Sequence, residues 1–169
     1  LKYTNIQDEI ERELDTINNT FSTYQDSSEL SQFNENRSFT PIAVSNDLWD
    51  VLMLSARLYE WSNGLWDPTI KPLIDVWGFS SEDIPNVIPK EKEITNAFKR
   101  MGFNQLVFGD DNTILKEREV TVDLSSIAKG YGVDKLCAFL ENKGILSYMV
   151  EIGGEVRVGK RKPDGNKWR

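Results

Sequence analysis

The sequence predicts an α+β fold in which helices pack on a mainly antiparallel sheet. Two observations carry this. Apolar residues recur at helical spacing through most of the first hundred positions, then alternate in short runs broken by Gly and by Asp and Asn clusters. Helices therefore come first, and strands with one further helix come later, an order that belongs to α+β chains. With 169 residues the chain is long enough for one ordinary domain, and a chain of that size buries roughly 70% of its unfolded surface. No repeat, low-complexity tract or flexible linker divides it, so residues 1–169 read as a single domain.

The opening helix rests on Ile6, Ile10, Leu14, Ile17 and Phe21, with Thr4 and Gln7 placed for a capping box. Ser27 to Asn34 forms a short helix under a serine cap. Ser45 caps a third helix through Leu48, Leu52, Ser55, Leu58, Tyr59 and Ser62, which Gly64 stops. Leu65 to Phe79 holds two prolines and a glycine and is expected to be an ordered loop with no element of its own. A fourth helix spans about Pro89 to Met101, with Ile94, Phe98 and Met101 inward and Gly102 as its stop. Gln105–Phe108 and Thr113–Leu115 flank Gly109-Asp110-Asp111-Asn112 as a hairpin. Glu119–Leu124 reads as a strand and Ser126–Asn142 as a helix ending at Gly144. Tyr148–Ile152 and Glu155–Val158 pair around Gly153-Gly154. After the turn Pro163-Asp164-Gly165, Asn166–Arg169 reads as the start of a further strand. That broken strand, and an opening without methionine, lead to the expectation of a piece trimmed at both ends from a longer protein.

Composition narrows the function. A net charge of −7 argues against nucleic acid and anionic membrane surfaces as partners. The absence of histidine excludes an imidazole zinc site and a Ser-His-Asp triad within this chain. Cys137 is alone, which excludes an internal disulfide, and its helical position suits a small buried hydrophobe. No signal peptide or membrane span is legible.

The run Val122-Asp-Leu-Ser-Ser-Ile-Ala-Lys-Gly-Tyr-Gly-Val-Asp134 carries the most chemistry. A carboxylate closes an apolar stretch, two serines open a helix, and Lys129 follows one turn later. The first amides of a helix are unpaired and carry partial positive charge, so phosphate groups are favoured there and Lys129 could reach them. Asp123 is equally suited to cap the helix, and Ser125 and Ser126 to open it. Gly130 and Gly132 cost about 1 kcal/mol each relative to Ala inside a helix, which is tolerated where something approaches the backbone closely. Asp134 reads as half of a surface ion pair. Gly64 to Phe79, with Trp66 and Trp77, suits either an aromatic ligand or a loop pinned to the core by its tryptophans. Tyr24 stands where a helix ends, open to a ligand ring or to a core role. Gly153-Gly154 reads as a plain hairpin turn.

Together these runs resemble the ApbE-type FAD:protein FMN transferases, formerly called thiamine biosynthesis lipoproteins. The matching runs are Phe-Ser-Thr-Tyr…Ser-Glu-Leu-Ser-Gln-Phe-Asn, Gly-Leu-Trp-Asp-Pro-Thr-Ile-Lys-Pro-Leu-Ile-Asp-Val-Trp-Gly-Phe, Val-Asp-Leu-Ser-Ser-Ile-Ala-Lys-Gly-Tyr-Gly-Val-Asp, and Val-Glu-Ile-Gly-Gly-Glu-Val with the segment from Gly159 to Arg169. The resemblance implies an ApbE-like (T-fold-like) domain that binds FAD and moves its FMN half to a threonine of a target flavoprotein, releasing AMP. It implies Mg²⁺ as the metal. Position by position it implies that Tyr24, Leu65, Trp66, Asp67, Asp123 and Lys129 contact FAD, and that the backbone oxygen of Ser126 ligates the metal. The family's other metal ligands, an Asp and a Thr, and a His-containing segment belong to a C-terminal third that is absent here, as is an early Met-Gly-Thr strand. A separate C-terminal segment is expected to complete the sheet at an open edge near Trp168. Family members are bacterial envelope proteins, exported and lipid-anchored to the inner membrane, with the anchor upstream of Leu1. A Mg²⁺-dependent FAD pyrophosphatase and a non-catalytic FAD-binding module are the alternative readings.

Overall fold

A computed structural model describes residues 5–79 and 88–168. Six α-helices and five short strands follow one another as α1 (Ile6–Phe21), α2 (Glu29–Glu35), β1 (Ile42–Ala43), α3 (Asn46–Trp61), α4 (Lys71–Val76), α5 (Glu91–Phe98), β2 (Leu106–Phe108), β3 (Thr113–Lys116), α6 (Ser125–Asn142), β4 (Met149–Ile152) and β5 (Glu155–Val158). The class is α+β, as expected. The strands form two antiparallel sheets: β1-β3-β2 and the β4-β5 hairpin.

Capping chemistry sets several boundaries. Ser28 and Ser45 each accept an amide three residues on, from Ser31 and Leu48, and so start α2 and α3. Asn5 precedes α1 without a side-chain cap; the expected capping residue, Thr4, lies outside the described residues. Three expectations fail for local reasons. The segment Leu65–Phe79 contains α4, because Pro72 stands in its first turn, where a missing amide costs nothing. In α5 the buried residue is Ala97, whereas Phe98 is 57% exposed. Residues 166–168 form no strand; the Lys162 amide donates to the Asn166 carbonyl and folds the segment into a turn.

Glu119–Leu124 is not a strand either. Its apolar alternation is real, since Val120, Val122 and Leu124 are all fully or almost fully buried. Among the described residues no strand pairs with it, however. The side-chain amide of Asn34 takes the place of a neighbouring peptide: it donates to the Val122 carbonyl and accepts the Val122 amide, both at 2.8 Å. The next amide, of Asp123, donates to the Pro68 carbonyl at 2.7 Å. Buried backbone groups must be satisfied somewhere, and here a side chain and a proline carbonyl do it.

Two apolar clusters share α1 and α6. The first gathers Ile17 and Phe21 of α1, Leu30 and Phe33 of α2, Leu48, Val51 and Leu52 of α3, Ile114 of β3, and the extended segment before α6. The second joins Val133, Leu136, Cys137 and Leu140 of α6 to Tyr148 and Val150, with Ile6, Ile10 and Leu14 packed against it. The start of α1 therefore meets the end of α6, and the two helices run antiparallel; an ion pair between Glu9 and Lys143 closes that end. Gly132 marks the closest approach: a Cβ there would lie 3.3 Å from Ile152 and 3.5 Å from Ile17. Gly130, by contrast, faces open space. Asp47 at the start of α3 accepts from both Tyr131 (2.9 Å) and Lys135 (2.8 Å), which fixes α6 to α3. Cys137 is fully buried, and burial pushes its thiol pKa up, in keeping with a packing role.

Lys116 is the largest fully buried side chain, 2% exposed. Its ammonium donates to the carbonyls of Phe33 (2.6 Å) and Asn34 (3.3 Å) and stands 4.7 Å from the centre of the Phe33 ring. Burial, followed by the nearby Arg37 charge, lowers its pKa from 10.5 to about 8. The folded protein thus binds fewer protons here than the unfolded chain between those two values, and stability from this group rises with pH across that window. Lys116→Met should abolish the rise. The change in unfolding free energy from pH 7.5 to pH 10, from denaturant melts, should differ between the two proteins by about 2 kcal/mol, and parallel pH profiles would refute the assignment.

Candidate functional site

Where α6 begins, the chain builds a corner from three segments distant in sequence. Asp123 precedes the helix, and one carboxylate oxygen accepts the Ser125 amide at 2.8 Å. Leu124 holds the N-cap position without a side-chain cap, so Asp123 is not the expected N-cap; it stands one residue earlier and takes the first helical amide. The amides of Ile127 and Ala128 both reach the Leu124 carbonyl, whereas the Ser126 amide finds no acceptor among the described residues. Because a carboxylate already occupies this helix end, its attraction for an anion is reduced. Positive charge at the corner must come mainly from Lys129.

Lys129 is exposed, and its ammonium makes no hydrogen bond or ion pair with any described residue. Asp134, five positions on, pairs with Arg157 at 2.8 Å and leaves Lys129 alone. The stem of Lys129 lies against the β4–β5 turn, with the Gly153 backbone beneath it. Beside it a cleft of about 230 Å³ opens between α1 and α6. Its floor is apolar, from Leu14, Ile17, Phe21, Ala128 and Ile152, and Gly132 lets it run deep. Its rim is polar, from Asn18, Ser22, Thr23, Ser125 and Lys129. Tyr24 stands on that rim with 97% of its surface exposed, so a core role is excluded. The Ser22 hydroxyl accepts the amides of Tyr24 and Gln25, both at 3.2 Å, and fixes the backbone from which the phenol projects. An apolar slot with one exposed aromatic ring and one free cation suits a flat, anionic ligand.

The loop residues Leu65, Trp66 and Asp67 do not line this cleft. They adjoin it through Pro68, whose carbonyl holds the Asp123 amide. Leu65 is 92% exposed and Trp66 half-buried. The tryptophans do not pin the loop by themselves. One carboxylate oxygen of Asp67 accepts both the Thr69 amide (2.7 Å) and the Thr69 hydroxyl (2.6 Å), and the buried Thr69 hydroxyl accepts the Gly102 amide at 2.7 Å. Asp67 is thus a fixed turn residue as well as a neighbour of the corner. Ser126, the second residue of α6, is exposed and lies outside the cleft lining. Among the described residues no three His, Cys, Asp or Glu side chains converge on a point that could hold a cation.

The structure thus gathers Tyr24, Ser125 and Lys129 in one cleft, sets Asp123 at its edge and holds Leu65–Asp67 one hydrogen bond away. Two contributors were not legible from sequence. Asn34 closes a matched run, yet nothing in the sequence pairs it with Val122. Gly153 looks like an ordinary turn glycine until Lys129 is seen against it.

The ApbE family profile matches residues 1–169. A FAD:protein FMN transferase of Vibrio cholerae is 42% identical over 165 residues, covering 97% of this chain and 49% of that protein. Among solved structures, the flavin transferase ApbE from Vibrio cholerae superposes with a TM-score of 0.90 at 42% identity, covering 98% of this chain and 53% of the other. The apo form of the Pseudomonas stutzeri flavinyl transferase ApbE gives 0.86 at 31% identity, covering 96% and 52%. The chain spans about half the length of the curated relatives it matches.

Proposed function

Because the chain belongs to the ApbE family, we propose that the protein containing it is a FAD:protein FMN transferase, which moves FMN from FAD to a threonine hydroxyl of a target flavoprotein and releases AMP. The observation that carries the reading is the meeting of Tyr24 with Ser125 and Lys129, 101 and 105 residues further along the chain, around one apolar cleft. The acceptor hydroxyl oxygen attacks the phosphorus of the FMN half and gives up its proton to solvent, the bridging P–O bond breaks, and AMP departs with the electron pair. Such a transfer needs positioning and charge neutralisation more than covalent help. Lys129 would hold the pyrophosphate, and its unpaired ammonium is free to do so without breaking an existing bond. Tyr24 and the cleft floor would take a ring of the dinucleotide. Leu65, Trp66 and Asp67 would contact it from beyond the corner, and Asp123 would keep Ser125 and the helix start in register for it.

Magnesium is proposed as the metal, with the Ser126 carbonyl as one ligand. A divalent cation there would neutralise phosphoryl charge. The described residues do not fit a complete site: Mg²⁺ asks for about six oxygens, and no three carboxylates converge. No step is assigned to it. The proposed location is the bacterial envelope, exported and lipid-anchored, with the anchor upstream of Leu1. Among the described residues no helix is long and apolar enough to cross a membrane.

The test uses the full-length protein with FAD, Mg²⁺ and a threonine-bearing acceptor. Covalent flavin on the acceptor, seen as fluorescence that survives denaturing electrophoresis, together with AMP, is the expected result. FMN and AMP free in solution would mean hydrolysis, and intact FAD would mean binding without chemistry; either would overturn the reading.

A further inference from the structure

We propose that Gly153 is a positioning residue for Lys129, its bare Cα serving as the seat on which the lysine stem lies so that the ammonium is held at the mouth of the cleft. A Cβ built on Gly153 would stand 3.0 Å from Cδ of Lys129, 3.3 Å from Cε and 3.8 Å from Nζ. The first distance is shorter than ordinary van der Waals contact, so a side chain at 153 must push the lysine stem aside by a few tenths of an ångström and unsettle its seat. The turn alone does not require this. Gly153 and Gly154 have φ of +57° and +97°, and a two-residue hairpin turn of that kind accepts Asn as readily as Gly at its first central position. Gly154 makes the contrast: its φ is also positive, but a Cβ there meets nothing within 4 Å. Positive φ accounts for both glycines; the absence of a side chain matters to a neighbour only at 153.

The seat itself is fixed. Ile152, the preceding residue, packs on Gly132 one turn along α6 from Lys129, and the Gly154 amide donates to the Glu151 carboxylate at 2.9 Å. Lysine loses more rotamer freedom than most side chains when it is ordered. With no ion pair among the described residues to hold it, this lysine has only the turn beneath it for support. The inference rests on Lys129 contacting the FAD pyrophosphate, as proposed above.

FAD titrations of the full-length protein test it, with thermal melting as the second readout. Gly153→Asn keeps the turn and is expected to weaken FAD binding about five- to tenfold, a fraction of the full loss of a charge contact, with little change in melting temperature. Gly154→Ala is expected to lower the melting temperature and leave FAD affinity alone. In a Lys129→Ala background, Gly153→Asn is expected to have no further effect on affinity. Full affinity in Gly153→Asn, or an equal loss with Lys129 already removed, would overturn this proposal alone. Unchanged affinity in Lys129→Ala would overturn it together with the role given to the lysine. Absence of FAD binding by the unaltered protein would remove the functional reading and this proposal with it.

Discussion

Lys129→Ala in the full-length protein is expected to weaken FAD binding by about ten- to a hundredfold, the range set by losing one hydrogen bond to a charged group, ~1.5–3 kcal/mol. The expectation follows from three observations. Lys129 is exposed, so its removal leaves no cavity. It pairs with no described residue, so no internal bond is lost. The carboxylate of Asp123 already takes the first amide of the helix, so little other positive charge remains to replace it. The unfolding free energy should stay within about 0.5 kcal/mol of the unaltered protein, as for other surface substitutions. The affinity lost should also shrink as salt rises, because the contact is electrostatic and half open to solvent. Isothermal titration at two ionic strengths, beside a denaturant melt, measures all of this. Equal affinity in both proteins would take Lys129 out of the site.

Asn34→Ala is expected to have the largest effect on stability. Its amide makes two 2.8 Å hydrogen bonds to the backbone of Val122, which has no accessible surface. Alanine would leave a buried N–H and a buried C=O unpaired, at about 1–3 kcal/mol each, so a total of about 2–6 kcal/mol is expected. Lys116 would feel the change as well, because it donates to the carbonyl of the same residue. FAD affinity should fall in step, since Asp123 follows Val122 directly. Chemical denaturation checks the first effect and titration the second. A stability loss under about 1 kcal/mol would show that water or a shifted neighbour satisfies Val122, and that the side-chain clamp is dispensable.

The elements most legible in sequence are those whose causes are local. The serine caps of α2 and α3, the stop at Gly64 and the glycine turn of β4–β5 all follow from residues within one turn of each other. The failures share the opposite character. Glu119–Leu124 has the alternation of a strand, but whether a ladder forms depends on what lies alongside, and that is a side chain eighty-eight positions away. The β1 pair Ile42 and Ala43 is too short to show a period and exists because β3 accepts it. Pro72 reads as punctuation in the sequence, although proline in a first turn is compatible with a helix. For the site, residue types in the matched runs were enough to point to the corner at Asp123–Lys129. They could not tell that Asp67 is held by Thr69, or that Lys129 rests on Gly153, since both depend on how separate loops meet.

The single bond from the Asp123 amide to the Pro68 carbonyl joins a tryptophan-bearing bend to a helix entrance fifty-five positions later. Its consequence is preorganisation. Flexible segments that close on a guest must surrender their freedom at that moment, and affinity suffers accordingly. Here the bend beside the cleft is already clasped to the helix entrance, so a dinucleotide reaching across both would have little of that backbone left to freeze.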